Sequence, residues 1–201
     1  MPLPSEAAAA LARLETFGIH LGLDHVRRLL AALGDPQREL PAVLVAGTNG
    51  KGSTASLLAA AGEAAGYRTG LYTSPHLESW EERVRVGGAA IAGEELGALV
   101  LETIAAGARA LPDPPTVFET LTAAAFLAFR RHEVELAVLE VGLGGRLDAT
   151  NTADPEVSTI TPIGIEHREQ LGSTLAAIAG EKAGVMRPGR LTVAWGGEPE
   201  V

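Results

Sequence analysis

Residues 43–54 read Val-Leu-Val-Ala-Gly-Thr-Asn-Gly-Lys-Gly-Ser-Thr, and this stretch sets the class of fold. The apolar run 42–46 predicts a buried strand, and a helix is predicted over 53–65, after the glycine-rich turn. A turn of this composition between a strand and a helix is the setting that a phosphate-binding loop requires. An ordinary strand-to-helix turn is the competing interpretation, but the coincidence of glycines, lysine and hydroxyls favours the phosphate site.

In such a loop the backbone N–H groups surround phosphate oxygens, and the positive end of the following helix adds to the attraction. Lys51 is expected to reach the outer phosphates, and Ser53 or Thr54 to supply a hydroxyl near magnesium. Val45 and Gly52 depart from the general Walker pattern, which has Gly and a hydroxyl residue there. The predicted ATP-binding residues are Gly47, Thr48, Asn49, Gly50, Lys51, Gly52, Ser53 and Thr54.

The rest of the chain alternates apolar strands with helices. Strands are predicted at 68–72, 136–141, 157–161 and 191–194, with helices at 94–110, 118–131 and 173–186 and a hairpin around Gly87-Gly88. Two helices, 5–16 and 24–33, precede them in a lead-in of 1–40. This order predicts an α/β fold with a mostly parallel sheet covered by helices on both faces.

Composition limits the possible partners. The 201 residues are 46% hydrophobic, which suffices for one large domain. The net charge of -9 argues against nucleic acid, and no apolar stretch predicts a membrane partner. The absence of cysteine excludes disulfides and thiolate metal sites. We expect a monomeric, cytoplasmic protein.

Lysine is scarce: only Lys51 and Lys182 are lysines among 16 basic residues. The codon usage of a GC-rich genome explains the excess of arginine. The two lysines therefore mark positions where a compact ammonium or a nucleophilic amine is needed.

Three further polar segments follow predicted strands: Ser-Pro-His-Leu at 74–77, Glu140, and the pair Glu166-His167. An acid at the carboxyl end of a buried strand is what nucleotide enzymes use to hold magnesium. Each segment also has a structural interpretation: a polar loop, a carboxylate paired with a nearby arginine, and a hydrogen-bonding histidine.

Together these segments resemble the folylpolyglutamate synthase/dihydrofolate synthase branch of the Mur ligases. The resemblance rests on Gly-Thr-Asn-Gly-Lys-Gly-Ser at 47–53, on the loop 74–77 and on Gly-Leu-Gly-Gly-Arg-Leu-Asp-Ala-Thr-Asn at 142–151. It extends from the Leu21-Gly22-Leu23 segment to Pro188-Gly189. It implies a P-loop, Mur-ligase-like domain that binds ATP and two magnesium ions.

The resemblance also implies roles for residues. Lys182, in Glu-Lys-Ala-Gly, would be a catalytic lysine modified to a carbamate; a surface lysine beside Glu181 is the alternative. Phe118 would belong to the substrate pocket, although it equally suits a plain core position. The implied metal ligands are Ser53, Ser74, Glu140, His167 and Lys182, and the implied substrate-binding residues are Phe118, Glu119, Leu147, Asp148 and Ala149.

The implied activity is that of an ATP-dependent ligase that joins L-glutamate to dihydropteroate or a folate through an acyl phosphate. The family also has a carboxy-terminal glutamate-ligase domain, which we expect to be absent from residues 1–201. A non-catalytic nucleotide- or folate-binding module and a ligase of cell-wall precursors are the alternatives. The 74–77 loop and the 142–151 stretch argue against the latter.

Overall fold

A single sheet of seven strands forms the centre of the molecule in the computed structural model, which describes residues 2–18, 20 and 22–197. Its order is β4-β3-β2-β5-β1-β6-β7. Strands β2, β5, β1, β6 and β7 are parallel, and β3 and β4 form an antiparallel edge. The strands are β1 Ala42–Ala46, β2 Thr69–Tyr72, β3 Val84–Val86, β4 Ala89–Ala90, β5 Leu136–Glu140, β6 Pro155–Ile160 and β7 Leu191–Ala194.

The helices are α1 Ser5–Leu14, α2 Asp24–Ala32, α3 Lys51–Ala64, α4 Gly93–Ala110, α5 Val117–Arg131, α6 Arg168–Leu171 and α7 Leu175–Ala183. Among the described residues, none of these helices is both long and apolar enough to cross a bilayer.

Three helices differ from the prediction by two residues or more at a boundary. Helix α3 begins at Lys51 instead of 53, because Gly50 adopts a left-handed conformation that turns the chain directly into the helix. The helix predicted over 5–16 ends at Leu14 and continues as a 3₁₀ turn. The helix predicted over 173–186 is shorter, since Thr174 caps its start by accepting a hydrogen bond from the N–H of Ala177.

The sheet is covered on both faces, as predicted. Leu44 and Ala46 of β1 face a large cluster that contains the buried side of α5, whereas Val43 and Val45 face a smaller cluster with α3. This alternation follows from the two-residue period of a strand. Because β1, β5 and β6 are parallel neighbours, their carboxyl ends meet at one edge of the sheet, where α/β proteins bind ligands.

Candidate active site

The loop 47–50 is anchored to the connection that follows β6. Thr48 Oγ1 donates to Gly164 O at 3.2 Å and accepts from Gly164 N at 3.0 Å. The N–H of Thr48 donates to Pro162 O at 2.9 Å. Gly47 has φ +140°, and a Cβ at that position would overlap Thr161 Oγ1, so only glycine fits this approach. The loop is thus held in place by a segment more than a hundred residues away.

Lys51 opens helix α3, and its Nζ donates to Thr48 O at 3.1 Å. Its ammonium is close enough to Glu140 and Glu166 to favour the ionised form of both carboxylates. The first lysine therefore lies between the loop and two acids.

Glu140 ends strand β5 and is buried. Its Oε2 accepts from the N–H of Ser74 at 3.0 Å. Burial raises its pKa, while the Ser74 N–H and the charge of Lys51 act in the opposite direction. The described residues show no arginine within ion-pair distance of Glu140, so the structural interpretation for this acid is wrong.

Lys182 is only 1% exposed, so the alternative of a surface lysine is wrong. Its Nζ donates to Gly47 O at 2.8 Å and to Glu166 Oε1 at 2.6 Å. Burial lowers the pKa of Lys182 against the opposing effect of Glu166. The structure thus joins the second lysine to the loop 47–50, with Gly47 lying 135 residues earlier in the chain.

His167 precedes α6 in a left-handed conformation (φ 42°) and is exposed. It lines the same pocket as Ser74, which places both predicted metal ligands at one cavity. No hydrogen bond from the His167 ring is found among the described residues, so the interpretation as a structural hydrogen-bonder is not supported.

That pocket has a volume of about 280 Å³. The five predicted substrate-binding residues all line it: Phe118, Glu119, Leu147, Asp148 and Ala149. Phe118 also packs against the large core cluster, so its ring belongs to the core and to the pocket wall at once. A Cβ on Gly142 would lie 2.5 Å from Phe118 Cζ, and this glycine therefore lets the ring occupy its place in the wall.

Asp148 also has a structural role, as a hydrogen-bond acceptor for backbone N–H groups, that the sequence did not reveal. Its Oδ2 accepts from the N–H groups of Gly142 (3.0 Å) and Leu143 (2.8 Å), and its Oδ1 accepts from the N–H of Thr150 (3.0 Å). Burial raises its pKa, whereas these hydrogen bonds favour the carboxylate. Asp148 thereby fixes the glycine-rich loop that forms one side of the pocket.

Sequence reasoning missed Arg83 as a pocket residue. Its Nε donates to His76 Nδ1 at 2.9 Å, and its guanidinium lies 4.9 Å from the centre of the Trp80 ring. Burial lowers the pKa of Arg83, and no carboxylate lies within ion-pair distance among the described residues. The only signal in the sequence was the Glu-Arg-Val-Arg stretch at 82–85, which resembles the family.

The family follows from a comparison with known sequences. The Mur ligase middle domain family matches residues 45–189, which include the loop 47–50, Glu140, His167 and Lys182. The chain belongs to the Mur ligase family. This Mur ligase domain is 43% identical, over 177 residues, to the dihydrofolate synthase/folylpolyglutamate synthase of Bacillus subtilis; the match covers 86% of the chain and 41% of that protein.

Solved structures agree in fold. Escherichia coli FolC in complex with DHPP and ADP gives a TM-score of 0.88 at 38% identity, covering 96% of this domain and 47% of FolC. A bifunctional folylpolyglutamate synthase/dihydrofolate synthase with Mn, AMPPNP and L-glutamate bound gives a TM-score of 0.85 at 40% identity. The match covers 94% of this domain and 46% of that protein. The predicted fold and the predicted resemblance to the folate branch are confirmed. The Mur ligase domain spans less than half the length of these relatives.

Proposed function

We propose that this Mur ligase domain supplies the ATP- and magnesium-binding part of a ligase that adds L-glutamate to dihydropteroate or a folate. The terminal phosphate of ATP would pass to the substrate carboxylate, and the amine of glutamate would displace phosphate from the acyl phosphate. The observation that carries the proposal is the convergence of Lys51, Glu140 and Lys182 at one edge of the sheet, beside the pocket of Phe118 and Asp148.

Residues 1–201 would form one ligand-binding domain, with 1–40 as a helical lead-in. Helices α1 and α2 support this division, because both contribute buried side chains to the same large cluster as the sheet. Turnover would require the second, glutamate-binding domain implied by the family resemblance, since closure of domains completes sites of this kind.

The oxygen donors of the predicted set fit magnesium, which prefers oxygen ligands. Glu140 is a buried carboxylate without an arginine partner in the described chain, and the Ser74 backbone already contacts it. We assign Glu140, Ser74 and Ser53 to one ion, and His167 with a carbamate on Lys182 to a second. Bound magnesium would neutralise the charge of the phosphates during transfer.

The protein's own residues would position the reactants. Lys51 would meet the outer phosphates, and the loop 47–50, braced by Gly164, would orient them. The pocket would hold the pterin end against Phe118. Arg83 is a cation without a carboxylate partner in the described chain, and it would face the negative end of the substrate.

The test is isothermal titration of the 201-residue chain with a non-hydrolysable ATP analogue and magnesium. We expect binding by the wild type and its loss in Lys51→Ala, because the substitution removes the ammonium that would meet the outer phosphates. Arg27→Ala, which removes an exposed cation on α2, is the matched control and should bind normally. Absence of binding by folded wild type, or equal binding by Lys51→Ala, would contradict the proposal.

A further inference from the structure

Two histidines and a carboxylate meet at the end of the pocket that is lined by Gly18, His20 and Gly22. His25 Nδ1 lies 2.9 Å from Glu119 Oε1, and His20 Nδ1 lies 3.6 Å from the same oxygen. The centres of the imidazole rings are 4.7 Å apart. One potential ligand atom from each of the three residues lies within 4.8 Å of the other two. Neither the phosphate loop nor the magnesium ligands assigned above belong to this cluster.

A neutral His25 ring can donate to only one of the two oxygens that its nitrogens face. Its Nε2 lies 3.3 Å from Asp113 O, while its Nδ1 faces Glu119 Oε1. A carbonyl and a carboxylate only accept hydrogen bonds, whereas a neutral imidazole carries one N–H. If Nε2 donates to Asp113 O, a proton or a metal ion must lie between Nδ1 and the carboxylate.

The surroundings match those of a metal site. A metal-binding histidine usually donates its other N–H to a carbonyl or carboxylate, as His25 can donate to Asp113 O. Ligating carboxylates are themselves hydrogen-bonded, and Glu119 Oε2 accepts from Thr116 N at 2.8 Å and from Thr116 Oγ1 at 3.0 Å. Glu119 is 3% exposed, and its Oε1 is left for the two imidazoles.

We propose that His20, His25 and Glu119 bind one transition-metal ion, of which zinc is the best match. Ligand bonds of about 2.0–2.2 Å in a tetrahedron place neighbouring donor atoms about 3.4 Å apart. The separations of 2.9 and 3.6 Å bracket that value, so small side-chain movements suffice. Two imidazole donors at one ion favour zinc over magnesium. His20 and Glu119 line the pocket, so the fourth position faces it and is open to water or a pocket ligand.

The test is a zinc titration of the chelator-treated 201-residue chain, without nucleotide or magnesium. We expect one site per chain that excess magnesium does not displace. His25→Ala and His20→Ala should weaken binding by more than the roughly 10–100-fold that loss of an outer partner costs. His20 is more than half exposed, so its replacement leaves the fold intact if His25→Ala does not.

Two controls separate this site from other imidazoles. His132→Ala removes a histidine that pairs with Glu95 of α4 and lies at the opposite end of α5 from Glu119, so zinc binding should be unchanged. His167→Ala should also leave it unchanged. Binding that disappears in His167→Ala and survives in His20→Ala and His25→Ala would overturn the assignment. So would absence of zinc binding by folded wild type, which would leave a proton between His25 and Glu119.

Discussion

Among single residues, the two lysines differ in their exposure and in their contacts. Lys51 is partly exposed beside Thr48, where a positive charge can meet phosphate. Lys182 is enclosed between Gly47 and Glu166, where burial lowers its pKa. A neutral amine is the form that reacts with carbon dioxide; burial acts toward that form, and the ion pair with Glu166 acts against it.

We expect Lys182 to carry a carbamate in bicarbonate buffer, and Lys182→Arg to carry none. The wild-type amount should rise with pH, since deprotonation of the amine precedes the reaction. Magnetic resonance with isotope-labelled bicarbonate measures the carbamate directly. Lys51→Arg is the matched control and should retain the signal. A carbamate signal that persists in Lys182→Arg would refute the assignment.

Among the elements, the loop between β2 and β3 depends on one partly exposed carboxylate. Glu82 accepts from the N–H groups of Leu77 (2.8 Å), Glu78 (2.8 Å) and Ser79 (2.7 Å). These hydrogen bonds hold the pKa of Glu82 below its usual range, and the bond from Leu77 has the largest effect. The same loop contains Ser74 and ends at Arg83, so Glu82 shapes one wall of the pocket.

The lowered pKa of Glu82 predicts a pH-dependent contribution to stability. Because the folded pKa lies below the unfolded value of about 4.3, the contribution is complete above that value and disappears as the pH falls through the folded pKa. Glu82→Gln should therefore lower the free energy of unfolding at neutral pH, with a difference that shrinks in acid. Urea unfolding across pH measures this.

Glu78→Gln is the matched control for this loop. The Glu78 side chain is exposed and accepts none of the three hydrogen bonds, although its backbone N–H donates one of them. The substitution leaves that N–H in place, so Glu78→Gln should unfold like the wild type at every pH. A stability difference between Glu82→Gln and wild type that stays constant from neutral to acid pH would contradict the assignment to Glu82.

Across the molecule as a whole, the candidate site is built from residues that lie on different elements. Loop 47–50 follows β1, Glu140 ends β5, and Lys182 lies on α7. The sheet brings them together because its parallel strands end at one edge. A ligand that touches all three would bind only the folded domain and would therefore stabilise it as a whole.

We expect the magnesium complex of a non-hydrolysable ATP analogue to raise the melting temperature. At a ligand concentration about 100 times Kd, the gain is about 2.7 kcal/mol. For a domain of this size, that corresponds to roughly 5–10 °C. Differential scanning calorimetry measures the shift, with Arg27→Ala as the matched control. An equal shift in Lys51→Ala would show that the stabilisation does not come from the phosphate loop.

Sequence alone specified the local features of this protein. The apolar runs predicted the strands, whereas the glycines around Lys51 and the polar residues after the strands predicted the candidate site. Such features depend on neighbours in the chain, so a linear pattern is sufficient to predict them. The sequence did not predict the exact start of α3, because the left-handed conformation of Gly50 determines it.

Tertiary packing selected which distant residues meet. The strand order, the bond between Lys182 and Gly47, and the joining of His20 and His25 to Glu119 all depend on segments far apart in the chain. The pattern of one segment does not record which other segment packs against it. Burial and hydrogen bonding in the folded core select those contacts, and they also set the charge state on which the proposed chemistry depends.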